Sequence, residues 1–174
     1  MTKYNGIYPV VRKENSFSAK EYPVVKFLPG LDVLFVKEQG GVYEYLRDKD
    51  LPSDADGLLM YQASLQNLSE IIDYSIVHTP YGGFAIFSDD EFEASALLFK
   101  QIWTMCAEKL ADDLFVLAPA NNTVLFIPKN GQGLLQDMLD HGKSVYDLSA
   151  QKISLQLYVF SREKEVLESY EEEY

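Results

Sequence analysis

Three consecutive acidic residues, Asp89, Asp90 and Glu91, are the side chains of this sequence with the clearest capacity for chemistry. Paired carboxylates bind hard divalent cations and can share the roles of general acid and general base. The same residues precede an apolar pattern of helical spacing. Carboxylates at the start of a helix cap free N–H groups and complement the helix dipole, contributing roughly 0.3–1 kcal/mol each. Because no second acidic cluster or histidine lies at a diagnostic spacing, we expect a capping role.

Two histidines and one cysteine complete the set of reactive side chains. His78 directly precedes Thr79 near the end of a predicted strand, and His141 follows Asp137 by four residues at the end of a predicted helix. We expect structural roles for both, since an i,i+4 pair and the helix dipole explain His141. Cys106 lies on an apolar helical stripe, which predicts core packing rather than a catalytic thiolate. The alternative is a metal-dependent enzyme or metal-binding domain in which His78 joins the three acids.

Two glycine-containing loops are further candidates for binding. Residues 129–133 lead from a predicted strand into a predicted helix and can cradle an anion, but their spacing matches neither glycine pattern of nucleotide-binding loops. The turn 80–83 is a tight hairpin turn, and its Tyr81 is a candidate contact residue. No Gly-x-Ser-x-Gly motif and no zinc-type Cys/His cluster occurs, so the leading interpretation includes no catalytic residue, metal ligand or cofactor. The candidate binding residues are His78, Tyr81, Asp89, Asp90 and Glu91.

Two of the elements that must position these residues are amphipathic helices, predicted from apolar residues at steps of three and four. The first is about four turns long, with the apolar residues Leu58, Tyr61, Leu65, Leu68 and Ile72. The second spans Asp90 to Leu110, with an apolar face of Phe92, Ala96, Phe99, Trp103, Cys106 and Leu110. Ser88 and Glu91 have the spacing of a capping box at its start.

Strands are predicted on either side of Gly- and Pro-containing turns. They are Val24–Leu28, Leu31–Lys37, Val42–Arg47, Ser75–Thr79, Phe84–Phe87, Leu114–Ala118, Val124–Ile127 and Lys152–Phe160. A third helix is predicted from about Gly131 to His141, ended by Gly142. We interpret residues 1–22 as an extended N-terminal arm with a loop, and residues 168–174 as a frayed acidic tail.

The order of these elements predicts the fold class. Hairpins pair antiparallel strands, and a helix follows each group of strands. We therefore predict an α+β fold with a largely antiparallel mixed sheet and about three helices, arranged in successive ββα-type units. A length of 174 residues is typical of one domain, which we assign to residues 1–174.

The composition of the chain limits the classes of partner. Its 15 basic and 27 acidic side chains give a net charge of −12 at pH 7. This charge repels nucleic-acid phosphates and anionic lipids, so we predict neither nucleic acid nor membrane as a partner. A single cysteine excludes an intramolecular disulfide, and no signal-peptide or transmembrane pattern is found, which predicts a cytoplasmic protein.

Several segments together resemble the YtpQ-like family of uncharacterised bacterial proteins. The resemblance rests on Ile7-Tyr8-Pro9-Val10-Val11-Arg12, on residues 63–68 with Asn67-Leu68, and on Phe92-Glu93-Ala94-Ser95 followed by Leu97-Leu98 and Trp103. A strand ending near Pro119 also fits, and the similarity extends over most of residues 7–160. The resemblance implies an intracellular bacterial domain. It assigns no activity and no catalytic residue.

These observations favour a non-enzymatic protein-binding or adaptor domain whose acidic surface contacts another protein. The net charge, the lack of a catalytic constellation and the 12 tyrosines, a residue type enriched in interfaces, all favour this function. A homodimer is also compatible with the sequence, because sheets built from hairpins leave edge strands to protect.

Overall fold

The computed structural model describes residues 3–131 and 133–171, which form three α-helices and ten β-strands. The helices are α1 (Gly57–Ile71), α2 (Lys100–Leu110) and α3 (Leu134–Leu148). The strands are β1 (Ile7–Lys13), β2 (Val25–Lys26), β3 (Leu31–Gln39), β4 (Val42–Tyr45), β5 (Ser75–His78), β6 (Phe84–Phe87), β7 (Leu114–Ala120), β8 (Thr123–Pro128), β9 (Tyr158–Ser161) and β10 (Val166–Ser169). Two short 3-10 helices span Asp48–Asp50 and Ala94–Leu98.

The predicted α+β class is confirmed, and the strands pair in an antiparallel manner throughout the described residues. They divide between two sheets, where we expected one. The first sheet has the order β1-β3-β2, with β4 also beside β3, and the second has the order β10-β9-β7-β8-β6-β5. The two predicted hairpins are present as β5–β6 and β7–β8. The division follows from the long connection through α1, which carries the chain from β4 of one sheet to β5 of the other.

A shared hydrophobic core joins the two sheets. Val11 of β1 and Leu31 of β3 pack in one cluster with Val116 and Phe126 of the second sheet. The 3-10 helix Ala94–Leu98 contacts both β1 and β8. Helix α3 covers the opposite face of the second sheet, where it packs on β7 and β8. The second sheet is therefore buried on both faces along its central strands.

Strand β1 is an outer strand whose outward carbonyl oxygens are bonded by side chains. The bonds are Asn67 Nδ2 to the oxygen of Ile7 (3.0 Å), Ser95 Oγ to Pro9 (2.8 Å) and Arg12 Nη1 to Val11 (3.0 Å). Asn67 also donates to the carbonyl oxygen of Tyr4 at 2.9 Å. Proline has no N–H to offer at position 9. This edge is consequently closed to pairing with another strand.

Replacing Asn67 with alanine is expected to lower the free energy of unfolding by about 1–3 kcal/mol, because the partly buried carbonyl of Ile7 loses its side-chain donor. Urea denaturation measures the change. Gln66→Ala is the matched control, since the Gln66 side-chain amide donates to the exposed carboxylate of Glu70 on the same helix. It is expected to change the free energy of unfolding by less than about 0.5 kcal/mol. Equal losses in the two variants would contradict the role assigned to Asn67.

The helix predicted from Asp90 to Leu110 is not continuous. Residues 88–93 form an irregular turn, Ala94–Leu98 is a 3-10 helix, and α2 begins only after Phe99 adopts an extended conformation (φ −103°, ψ 93°). The predicted apolar spacing is confirmed in its burial, since Trp103 and Cys106 are buried. The predicted continuity is wrong. An amphipathic helix leaves one face to solvent, whereas Ala94–Leu98 lies between strands of both sheets.

Helix α3 extends beyond its predicted end at His141 and continues through Gly142 to Leu148. Gly142 is buried against β7, and a Cβ atom at this position would overlap Cδ2 of Leu117. The glycine therefore permits close packing of the helix on the sheet and does not end the helix. Helix α1 begins at an acidic cap: Asp56 accepts from the backbone N–H groups of Leu58 and Leu59, each at 3.0 Å.

The predicted strand Lys152–Phe160 is wrong in its extent. Lys152 makes an isolated bridge to Ala120, residues 153–157 are irregular, and β9 begins at Tyr158. Strand β10, which we did not predict, pairs with β9. Within the predicted N-terminal arm, residues 7–13 form β1. Of the predicted acidic tail, residues 168 and 169 belong to β10, and residues 172–174 lie outside the described residues.

Candidate functional site

The three acids Asp89, Asp90 and Glu91 are exposed in the turn that follows β6. Asp89 Oδ1 accepts from the backbone N–H groups of Glu91 (3.2 Å) and Phe92 (3.3 Å). Asp90 has a positive φ of 70°, a conformation that aspartate tolerates better than most residues. The capping box expected between Ser88 and Glu91 is absent from the bonds of this described turn, and Ser88 Oγ instead contacts Asp89 Oδ1 at 3.4 Å. Asp89 thus caps a tight turn rather than the start of a long helix.

Glu93 is the buried carboxyl of the same turn, with 1% of its surface exposed. Its Oε1 accepts the Asp90 N–H at 2.9 Å, while its Oε2 has no hydrogen-bond partner among the described residues. Burial raises the pKa of Glu93 to about 7, and the nearby charges of Asp89 and Asp90 act in the same direction. The hydrogen bond from the Asp90 N–H opposes the rise. The buried site therefore favours the protonated, uncharged form.

Three aromatic rings meet beside this turn. Tyr43 of β4 makes edge-to-face contacts with Tyr8 of β1 and with Phe92, at ring-centroid distances of 6.0 and 5.1 Å. Tyr8 and Phe92 complete the cluster at 5.8 Å. Phe92 is buried, whereas Tyr8 and Tyr43 are half-buried and offer part of their rings to solvent. The strand register positions both tyrosines, because Tyr8 lies opposite Val36, and Tyr43 lies opposite Glu38 on the same face.

Several carboxylates lie near the two half-buried tyrosines. Burial raises the pKa of Tyr43, and the carboxylates of Asp89, Glu38 and Glu91 raise it further. Burial also raises the pKa of Tyr8, with contributions from Glu38 and Glu70. We call these six residues the acidic aromatic surface: Tyr8, Glu38, Tyr43, Glu70, Asp89 and Glu91. Ring faces and carboxylates are the two kinds of group that attract a lysine or arginine side chain.

His78 and the acidic turn lie at opposite ends of the β5–β6 hairpin. His78 is opposite Phe84 beside the hairpin turn, whereas Asp89 follows Phe87 at the other end, a separation of roughly 10 Å along the strand. The ring of His78 contacts that of Phe84, with 5.1 Å between centroids. Across residues 3–131 and 133–171, no three His, Cys, Asp or Glu side chains are arranged to hold a metal ion.

Tyr81, the candidate contact residue of the hairpin turn, is half-buried and faces α3. Its hydroxyl lies 3.0 Å from His141 Nδ1, and the two rings pack edge-to-face. Burial raises the pKa of the Tyr81 hydroxyl, and a hydrogen bond with Thr79 opposes this rise. The pair ties the hairpin to the helix. It explains His141 through Tyr81 rather than through the predicted pairing with Asp137.

Cys106 is buried on α2, as its position on the apolar stripe predicted. Burial raises the pKa of its thiol to about 11, which keeps the thiol protonated near neutral pH. This environment is the opposite of the one that activates a nucleophilic cysteine. The structure therefore agrees with a packing role for Cys106.

Sequence reasoning singled out Asp89 and Glu91 of this surface. It did not single out Glu38, Glu70, Tyr8 or Tyr43, nor the buried Glu93 beside them. Glu93 carried a local signal, because it is the charged residue within the otherwise uncharged run 92–99. Tyr8 and Tyr43 carried no local signal, since the contact between their rings depends on the register in which β1 and β4 pair with β3. Contacts between distant segments are set by that register, which local patterns specify weakly.

Comparison of the chain with known protein families, with curated proteins and with solved structures gave no match. The resemblance to the YtpQ-like family stays a prediction. None of the helices within the described ranges has both the length and the apolar character needed to cross a bilayer.

Proposed function

We propose that this chain is a non-enzymatic protein-binding domain whose acidic aromatic surface contacts a lysine- or arginine-rich part of another protein. The observation that carries the proposal is the cluster of two partly exposed tyrosine rings within a ring of carboxylates. A cation above a tyrosine face gains roughly 0.5–1 kcal/mol at an exposed site. Each carboxylate adds an ion pair and orients the cation.

The charge of the whole chain supports the same kind of partner. A net charge of −12 attracts a basic protein over several ångströms and speeds its encounter. Tyrosine is also a residue type enriched in interfaces, because its ring is rigid and its hydroxyl is polar. We extend the proposal to a cytoplasmic location, for which the single, buried and protonated cysteine is the support.

Reversing two charges of the acidic aromatic surface is expected to remove this binding. In the variant Glu70→Lys/Glu91→Lys, lysines replace two exposed acids of the surface. Immobilised wild-type protein is expected to retain a partner from cell lysate at low salt and to release it at high salt, because exposed charges are screened. The variant is expected to retain about tenfold less of that partner, as measured by quantitative mass spectrometry.

A matched control reverses two acids elsewhere. Asp140→Lys/Glu163→Lys changes the net charge by the same amount, and Asp140 bonds Gln136 on α3 just as Glu70 bonds Gln66 on α1. This control is expected to retain the partner. If the three proteins retain the same set of proteins in the same amounts, the acidic aromatic surface is not the binding site.

A further inference from the structure

Strand β5 is an outer strand of the second sheet, and none of the described strands pairs with its outer side. It pairs with β6 alone, and all four of its residues are exposed. Beyond the β6 ladder, no side chain in residues 3–131 and 133–171 bonds the backbone of residues 75–78. An outer strand with free N–H and C=O groups is a template for pairing with another chain.

The other outer strands of the described residues carry protection that β5 lacks. The outward carbonyl oxygens of β1 accept hydrogen bonds from the side chains of Asn67, Ser95 and Arg12. Strand β2 has only two residues, and β4 and β10 carry Glu44 and Glu168. Charged side chains and short length are the usual devices against edge pairing. Strand β5, with the sequence Ser-Ile-Val-His, contains no Asp, Glu, Lys or Arg.

The two faces next to this edge are apolar. Val77 and Phe87 lie on the same face of the hairpin, where they are 41% and 58% exposed. Ile76 lies on the other face, opposite the buried Ile86. An added strand would extend both faces and cover these side chains. Apolar or β-branched residues in that strand therefore fit best along β5.

Acidic groups lie at the Ser75 end of the same strand. Asp73 precedes β5 by two residues, and Asp89 follows Phe87, which is the partner of Ser75 in the ladder. Tyr74 connects this end to the turn that carries Asp89 and Glu91, because its hydroxyl donates to the carbonyl oxygen of Phe92 at 2.6 Å. The negative charge of Asp89 reaches both Tyr74 and Tyr43. A chain that leaves β5 at this end thus leaves it at the end of the hairpin that carries Asp73 and Asp89.

We propose that β5 accepts an extended segment of a partner protein as a seventh strand of the second sheet. The segment has uncharged, β-forming residues along β5 and lysine or arginine at the end beside Ser75, where charge complementarity with Asp73 and Asp89 selects it. The inference rests on the proposed function, since the basic end is what the acidic aromatic surface binds. Backbone hydrogen bonds supply the affinity of such complexes, and side-chain contacts supply the specificity.

A second copy of this chain is the less suitable occupant. Each copy carries a net charge of −12, so two copies repel one another as they approach. A basic segment gains from the charge that a second copy must overcome.

The test uses a peptide of alternating valine and threonine with two lysines at each end, and the same peptide N-methylated at every valine and threonine. N-methylation removes the backbone N–H donors while it leaves the side chains and the charge in place. Fluorescence anisotropy at low salt is expected to show that the unmodified peptide binds at least about tenfold more tightly than the N-methylated peptide. The outward amides of β5 are expected to exchange with deuterium about tenfold more slowly in its presence.

The outcomes separate this inference from the proposed function. Equal affinity of the two peptides, or no binding of the unmodified peptide up to about 1 mM, overturns strand addition. Unchanged affinity in Glu70→Lys/Glu91→Lys, together with loss on N-methylation, overturns the proposed surface and leaves strand addition standing. A doubled mass in sedimentation that Val77→Lys abolishes assigns the edge to a second copy, and this also overturns the inference.

Discussion

Glu93→Gln is expected to stabilise the protein at about pH 8 by about 3 kcal/mol and to leave it nearly unchanged at about pH 4. Glutamine keeps the acceptor for the Asp90 N–H and carries no charge into the buried site. The pKa of Glu93 is raised to about 7 by burial, whereas glutamate in the unfolded chain titrates near 4.5. The native state therefore holds a proton that the unfolded chain has released between these two pH values.

The sign of the pH dependence follows from that difference. Stability contributed by protonated Glu93 is fully present below about pH 4.5 and falls as the pH rises through about 7. Between these values the folded state keeps a proton that the unfolded chain has released, and above about 7 it must bury a charge. Glutamine does not ionise, so the Glu93→Gln variant does not lose this stability as the pH rises. Urea denaturation of both proteins between about pH 4 and pH 8 gives the difference in unfolding free energy at each pH.

Glu91→Gln is the control for the Glu93 experiment, since it makes the same chemical change at an exposed position two residues away. Its effect is expected to stay within about 0.5 kcal/mol at every pH. A Glu93→Gln advantage that does not grow with pH would show that folding does not raise the pKa of Glu93. The argument from burial would then be wrong.

Trp103→Ala is expected to lower the free energy of unfolding by about 3–5 kcal/mol. Trp103 is 1% exposed and packs edge-to-face on Phe126 of β8, with 5.4 Å between ring centroids. Its Nε1 donates to the carbonyl oxygen of Ala96 at 3.0 Å, so the indole also fixes the break between the 3-10 helix and α2. Alanine removes both the ring and the donor. Thermal and urea denaturation measure the loss.

Two further variants separate the contribution of the Trp103 ring from that of its N–H donor and provide a control on the same helix. Trp103→Phe keeps an aromatic ring but not the donor, and the Ala96 oxygen still accepts the Phe99 N–H at 3.1 Å, so this variant is expected to lose less than half as much. Met105→Ala changes a residue of the same helix that is 45% exposed, and its loss is expected to be about 1 kcal/mol or less. Similar losses of unfolding free energy in Trp103→Ala and Met105→Ala would contradict a central role for Trp103 in the core.

Periodic apolar patterns predicted which residues are buried better than they predicted where helices end. The spacing of Trp103 and Cys106 is confirmed by their burial, yet the same pattern continued through Phe99, where the chain is extended. A segment buried between two sheets is apolar at several successive positions. The spacing of apolar residues alone cannot distinguish such a segment from the buried face of a helix. The prediction that Gly142 ends the third helix was wrong for a related reason, since the role of this glycine depends on Leu117 of a distant strand.

Two acids of the candidate site, Asp89 and Glu91, could be predicted from the sequence, but their setting could not. A run of Asp89, Asp90 and Glu91 is visible in any reading of the chain. The rings of Tyr8 and Tyr43 reach this turn only after β1 and β4 have paired with β3. Burial of Glu93 likewise depends on contacts that form in the folded molecule. Site chemistry that arises between distant segments needs the structure.

The closed edge of β1 has a consequence for synthesis on the ribosome. The donors that close it come from residues 60 and 86 positions further along the chain. Because translation delivers the N-terminal part first at roughly 5–20 residues per second, β1 emerges several seconds before Asn67 and Ser95. Through that interval the carbonyl groups of Ile7 and Pro9 lack these donors, so the stretch from Ile7 to Lys13 is open to pairing with neighbouring nascent chains and is a segment that a chaperone can protect.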